Sequence, residues 1–268
     1  MLDLIQITND PAFARRCDAL DGMRLFVDLE RLGKAQRQAG RNTFISTHEV
    51  ADVGRVKAQL RRSRLMVRVN PLNPDTRGEV EAVLGQGADL LMLPMFENGG
   101  QLREFLAIVD GRAPVSALLE NAGALDTIGD WIDAPGLSEV FVGLNDLHLS
   151  LGRRFMFEPL AEGLVERVAL LARARGLGFG FGGIARLEEG LLPGRDVLAE
   201  HLRLGSGAVI LSRTFHNSQG ATSFEQEVAA LRATEAALAL RTPQQAQADA
   251  TRIAQAIRGV SAAMAQAA

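Results

Sequence analysis

The chain has one cysteine, no tyrosine and two lysines among its 268 residues. A single cysteine, Cys17, excludes an internal disulfide and any metal site built from several thiolates. Cys17 lies in a helical stretch and reads as a small apolar residue, not a nucleophile. The lysines, Lys34 and Lys57, stand at no strand end, which argues against imine chemistry on a lysine. No run of about 18 apolar residues exists, and the N-terminus MLDLIQITND lacks a basic region followed by an apolar one. The expectation is a cytoplasmic protein with no membrane partner. With a net charge of −3, no basic surface invites nucleic acid. The missing tyrosine excludes nothing.

What is present is ordinary for a globular chain, 47% hydrophobic and 23% charged. The length suits one α/β barrel or two small domains. Eight near-continuous apolar runs alternate with helical patterns. The runs are residues 3–8, 24–30, 64–70, 88–95, 115–120, 139–144, 177–182 and 208–213. This is the pattern of a (β/α)8 TIM barrel. A doubly wound sheet is the alternative, but it does not need eight runs of one kind. The barrel is expected over residues 1–216, and extra C-terminal helices over 217–268. Ser223-x-x-Gln226 and Thr242-Pro243-x-Gln245 read as helix starts in that tail. Ile253, Ile257, Val260 and Met264 fall on one stripe, which docks either on another subunit or on the chain's own barrel.

The stretch 115–152 organises the rest. Its two apolar runs end in Glu120 and Asp146, with a helical segment between them. Parallel neighbours place two such acids on one rim, at the strand ends where α/β enzymes hold their chemistry. Taken alone, Glu120 reads as a helix cap and Asp146 as the start of a turn. As a pair they offer hard oxygen ligands suited to Mg2+ or Mn2+. Arg68 lies near the end of a strand buried on both sides, so it needs an anion. Asp28 or Glu30 can supply one, and so can a substrate carboxylate and a developing enolate. Arg186 and the Ser212-Arg213 pair are further strand-end candidates. Residues 31–48 form a long loop, read evenly as a substrate loop or a surface excursion with a small extra strand.

FVDLE, LMVRVNP, GADLLMLPMFEN and, above all, LLEN followed by GLNDLHLSLG resemble motifs of the HpcH/HpaI aldolases, which share a superfamily with citrate lyase β subunits. The resemblance runs from about residue 4 to residue 215. It implies a metal-dependent class II 2-oxo-acid aldolase. Glu120 and Asp146 would hold the metal (Mg2+, Mn2+ or Co2+), and Arg68 would contact substrate and enolate. Glu30 would hold a metal-bound water, and the Asn145 backbone and Asp146 would line the carboxylate pocket. It also implies a homo-oligomer, a hexamer or trimer. The chain departs from the family at three places: Arg31 stands where the family carries its acid/base histidine, Gly85 where it carries the partner aspartate, and Leu118 where a polar residue commonly precedes the metal glutamate. His148 and His48 are the substitutes, His148 first; His201 and His216 are weaker.

The function these readings imply is a carbon–carbon lyase, an aldolase acting through a metal-bound enolate of pyruvate or a related 2-oxo acid, with an aldehyde as second substrate. One alternative is a citrate-lyase-like acyl-CoA lyase, for which Arg31, Arg37 and Arg41 would form a basic groove. The other is a catalytically altered barrel that only binds a ligand or partner. Against it stand the polar strand-end residues, costly to bury without use.

Overall fold

The computed structural model of the chain describes residues 1–33, 46–216 and 222–266. Its eight parallel strands are β1 (Asp3–Ile7), β2 (Met23–Asp28), β3 (Arg64–Arg68), β4 (Leu90–Leu93), β5 (Val115–Leu119), β6 (Leu137–Val142), β7 (Gly178–Ile184) and β8 (Ala208–Leu211). They close into a barrel in strict chain order, the TIM barrel that the alternating pattern predicts. The strands are apolar almost throughout because both of their faces are covered: every residue of β2, β4 and β5 is buried.

Among the described residues the helices are α1 (Pro11–Asp18), α2 (Val50–Lys57), α3 (Thr76–Gly85), α4 (Gly99–Val109), α5 (Ala122–Asp126), α6 (Ile128–Trp131), α7 (Leu144–Ser150), α8 (Glu158–Ala161), α9 (Leu164–Ala174), α10 (Gly194–Leu204), α11 (Phe224–Ala239) and α12 (Pro243–Gln266). Their starts follow local chemistry. Asp10 caps α1, accepting from the Ala12 and Phe13 amides, with Pro11 as the first helical residue. Ser223 and Gln226 form a reciprocal capping box on α11. Thr242 and Gln245 make the same exchange at α12. No described helix is long and apolar enough to cross a membrane.

The chain divides into two compact units. Ile5–Phe141 carries β2 to β5 and most of β6. Its core includes a buried ion pair near the strands' N-terminal ends: Arg24 Nη1 donates to Glu139 Oε2 at 2.8 Å, and Ser116 Oγ donates to Glu139 Oε1 at 2.8 Å. The second unit, Met1–Leu4 with Val142–Ala268, carries β7, β8 and α7 to α12. Within it α12 packs on α8 and α10. Ile253 and Ile257 are buried there, so the first half of the C-terminal stripe docks on its own chain; Val260 and Met264 stay partly exposed.

Two boundaries differ from the sequence reading. The sixth strand ends at Val142, two residues before the expected Leu144, because helix α7 starts at Leu144. Asp146 and His148 therefore sit on a helix, not in an extended loop. The helical pattern between the sixth and seventh runs is split into α8 and α9 at Gly163, whose φ is +78°. Of the long loop read over residues 31–48, residues 34–45 lie outside the described residues, and with them Lys34, Arg37 and Arg41.

Candidate active site

In the first unit the strand ends gather charge. Register sets Asp28, the last residue of β2, opposite Arg68, the last of β3. Neighbours at that separation can pair side chains, and these do: Arg68 Nε donates to Asp28 Oδ1 at 2.9 Å and Nη2 to Oδ2 at 2.8 Å. Arg68 Nη1 lies 3.4 Å from Glu30 Oε2. Burial by itself would lower the pKa of Arg68. The charge and hydrogen bonds of Asp28, then the charges of Glu30 and Glu120, outweigh that and raise it further. Of the two anions the sequence reading offers Arg68, the Asp28 carboxylate is in place and takes the Nε and Nη2 edge of the fork. Three of the five guanidinium N–H groups face Asp28 and Glu30, and among the described residues no acceptor takes the other two. The Arg68 side chain is 15% exposed.

His48 joins the same cluster. Its Nδ1 accepts from the Asp28 amide at 3.1 Å, so the neutral ring carries its proton on Nε2. The ring caps no helix; the N-cap of α2 is Glu49, in a box with Asp52. Arg31 crosses to the same segment, donating through Nη2 to the His48 carbonyl at 2.8 Å. It holds backbone together where the resemblance places an acid/base histidine, and a guanidinium cannot act as a base at neutral pH. Sequence reasoning overlooked Asn70, one residue inside the LMVRVNP motif. Asn70 Oδ1 accepts the Arg31 and Leu32 amides at 2.8 and 3.0 Å, and its Nδ2 donates to Glu79 Oε1 at 2.9 Å. Glu79, on α3, has its pKa raised by burial against the opposing bonds from Asn70. A polar residue directly after a buried strand was the available signal. Gly85, in the expected aspartate position, ends α3, and Leu118 is buried in β5.

Glu120 directly follows β5 and is buried. Its Oε1 accepts the Met95 amide at 3.0 Å. Asn121 beside it caps α5 and donates through Nδ2 to the Phe96 carbonyl at 2.7 Å.

In the second unit, Asn145 and Asp146 lie in the first turn of α7, partly exposed. His148, 8% exposed, places Nδ1 3.0 Å from the Leu144 carbonyl. A carbonyl only accepts, so Nδ1 carries the proton and Nε2 the lone pair. His148 and His48 are therefore opposite tautomers: one presents a base, the other a donor. After β7, the Arg186 amide donates to Thr214 Oγ1 at 3.3 Å. The Arg186 guanidinium lies 3.7 Å from Glu189 and 3.8 Å from Glu227. Ser212 Oγ bonds Thr214 Oγ1 at 2.9 Å, and Arg213 is exposed. His201 is structural: it stacks on Phe181 at 3.8 Å and bonds Ser206 through Nδ1.

An all-parallel barrel with an arginine set among carboxylates at its strand ends defines a class of enzyme-like α/β barrels. Within that class, the family model described as HpcH/HpaI aldolase/citrate lyase matches residues 9–180, and the chain belongs to this family. A (3S)-malyl-CoA thioesterase from Cereibacter sphaeroides is 32% identical over 139 residues, which are 51% of this chain and 46% of that protein. The chain thus matches just under half the length of that curated relative. Among solved structures, a family protein from Burkholderia cenocepacia superposes with a TM-score of 0.61 at 18% identity, over 88% of this chain and 93% of that one. The CitE protein from Mycobacterium tuberculosis, in complex with magnesium and acetate, gives 0.60 at 19% identity, over 93% and 96%. A citrate lyase β subunit from the same organism, complexed with oxaloacetate and magnesium, gives 0.56 at 18%, over 87% and 95%. These structural likenesses establish the fold.

Proposed function

We propose that the chain is a carbon–carbon lyase that cleaves or forms an aldol bond to the enolate of pyruvate or a related 2-oxo acid. The observation that carries the reading is Arg68, fixed by Asp28 and Glu30 with two N–H donors left over and the negative charge of Glu120 acting on it. A 2-oxo acid offers a carboxylate and a ketone oxygen, and the ketone oxygen gains negative charge as the enolate forms. Arg68 would donate to that acid, already oriented and without rearrangement in the reaction.

Glu120 and Asp146 would hold a divalent cation. Among the described residues no group of three or more His, Cys, Asp or Glu side chains is placed to hold one. Two carboxylates nevertheless make a hard donor set that fits Mg2+ or Mn2+, since Mg2+ commonly keeps several waters beside one or two carboxylates. When bound, the cation supplies Lewis-acid stabilisation of negative charge on oxygen. In the cleavage direction, His148 Nε2 would take the proton of the adduct's hydroxyl. The C–C bond then breaks, its electron pair enters the 2-oxo acid as the enolate, and the hydroxyl carbon leaves as an aldehyde. A positioned base of this kind contributes about 10²–10⁴-fold in rate. His48, with its proton on Nε2, would serve as a hydrogen-bond donor beside the strand-two acids.

A second reading, cleavage of an acyl-CoA thioester, is favoured by the likeness to the (3S)-malyl-CoA thioesterase. One experiment separates the readings. Exchange of the pyruvate C3 protons in D2O, followed by NMR, should require Mg2+ or Mn2+ and stop on exhaustive chelation. His148→Asn should keep the exchange and lose addition to a test aldehyde such as glycolaldehyde. No exchange in the metal-replete protein, together with thiol release from malyl-CoA, would favour the thioester reading instead.

A further inference from the structure

Met95 follows Pro94 at the end of β4, and its backbone is left-handed, with φ at 55°. Among the described non-glycine residues only Asp110 shares that region. Asp110 sits at the C-cap of α4, where a left-handed residue is ordinary. Met95 caps nothing, and methionine has no short polar side chain to compensate. Such a conformation persists where the surroundings over-determine it.

The surroundings here are explicit. Pro94 has no N–H, so the first amide beyond β4 is that of Met95. It donates to Glu120 Oε1 at 3.0 Å. On the far side, the Phe96 carbonyl is held by Asn121, and the Phe96 ring packs edge-on against Trp131 at 5.1 Å. The Glu97 amide donates to Gln101 Oε1 at 2.7 Å. The Glu97 carbonyl also lies against Gly123, where an added Cβ would stand 2.9 Å from it. With the chain fixed on both sides, Met95 absorbs the turn.

We infer that Met95 is a positioning residue whose left-handed backbone delivers its amide to Glu120 and fixes that carboxylate for cation binding. The inference rests on the proposed role of Glu120 as a ligand. The side chain matters only through the φ it tolerates. Glycine adopts φ > 0 freely and asparagine tolerates it, whereas a β-branched residue resists it.

The test is Mn2+ affinity, read from free Mn2+ by electron paramagnetic resonance, beside the thermal midpoint of the metal-free protein. Met95→Gly and Met95→Asn should bind Mn2+ as the unmodified chain does, and Met95→Gly should raise the midpoint. Met95→Val should weaken Mn2+ binding about 10–100-fold, the range for a group that orients a ligand. If Met95→Val does not fold, Met95→Thr, also β-branched, replaces it, with a loss in the same direction. Wild-type affinity in both Val and Thr variants, while Glu120→Gln loses the ion, would overturn the positioning role alone. Wild-type affinity in Glu120→Gln as well would overturn the ligand assignment, and the positioning role with it.

Discussion

Single residues here are governed by what burial permits. Arg68 is tolerable inside the barrel because Asp28 and Glu30 take three of its donors, and the same pairing orients what remains. His201 shows the opposite solution. Fully buried, stacked on Phe181, and with no partner for Nε2, it stays neutral, its pKa pushed down by burial to about 3. The folded pKa lies below the unfolded value of 6.5, so between the two the unfolded chain binds the extra proton. This stabilisation is complete above about pH 6.5 and falls as pH drops toward 3, by up to about 1.4 kcal/mol per pH unit. Urea unfolding at pH 7 and pH 5 should show the unmodified chain losing up to about 2 kcal/mol more than His201→Phe. Equal losses in the two proteins would contradict this account of His201.

At the scale of elements, the strands were legible and the geometry of their ends was not. Runs such as RLFVDLE and RLMVRVN announce themselves because strands covered on both faces must be apolar throughout. The caps at Ser223 and Thr242 were legible because capping chemistry is local. The start of α7 was not, because the cap-type residues Asn145 and Asp146 fall inside its first turn, and Gly143 stands at the N-cap without a side-chain bond. The placement of His148 on a helix, and with it the tautomer that gives Nε2 its lone pair, followed from that one boundary. His48 was legible as a candidate, but its bond to the Asp28 amide spans 20 residues of sequence. Asn70 and Glu79 were overlooked for a related reason: their roles are hydrogen bonds to the Arg31 and Leu32 amides and to each other, which no periodicity records, and only the place of Asn70 after a buried strand hinted at one.

On the scale of the whole molecule, the barrel carries its candidate chemistry at the strands' C-terminal ends and a purely structural charge near their N-terminal ends. Arg24, Glu139 and Ser116 bring together residues from β2, β6 and β5 that lie up to 115 positions apart. Sequence reading missed them, since an arginine early in one run and a glutamate early in another look like strand boundaries. Breaking the pair alone, with Glu139→Leu, should cost about 3–5 kcal/mol because it removes a carboxylate that compensates a buried guanidinium. Arg24→Met combined with Glu139→Leu should recover most of that loss in denaturant unfolding. A double variant as unstable as the sum of its single variants would show that the two residues do not act as a pair. Family membership and the polar strand ends together make metal-assisted enolate chemistry the central claim. Its most direct measurement is Mn2+ titration of the full chain beside Glu120→Gln and Asp146→Asn, with folding checked by circular dichroism. The account predicts one Mn2+ per chain in the unmodified protein and a loss of affinity in each folded variant. Unchanged Mn2+ binding in both variants would contradict it.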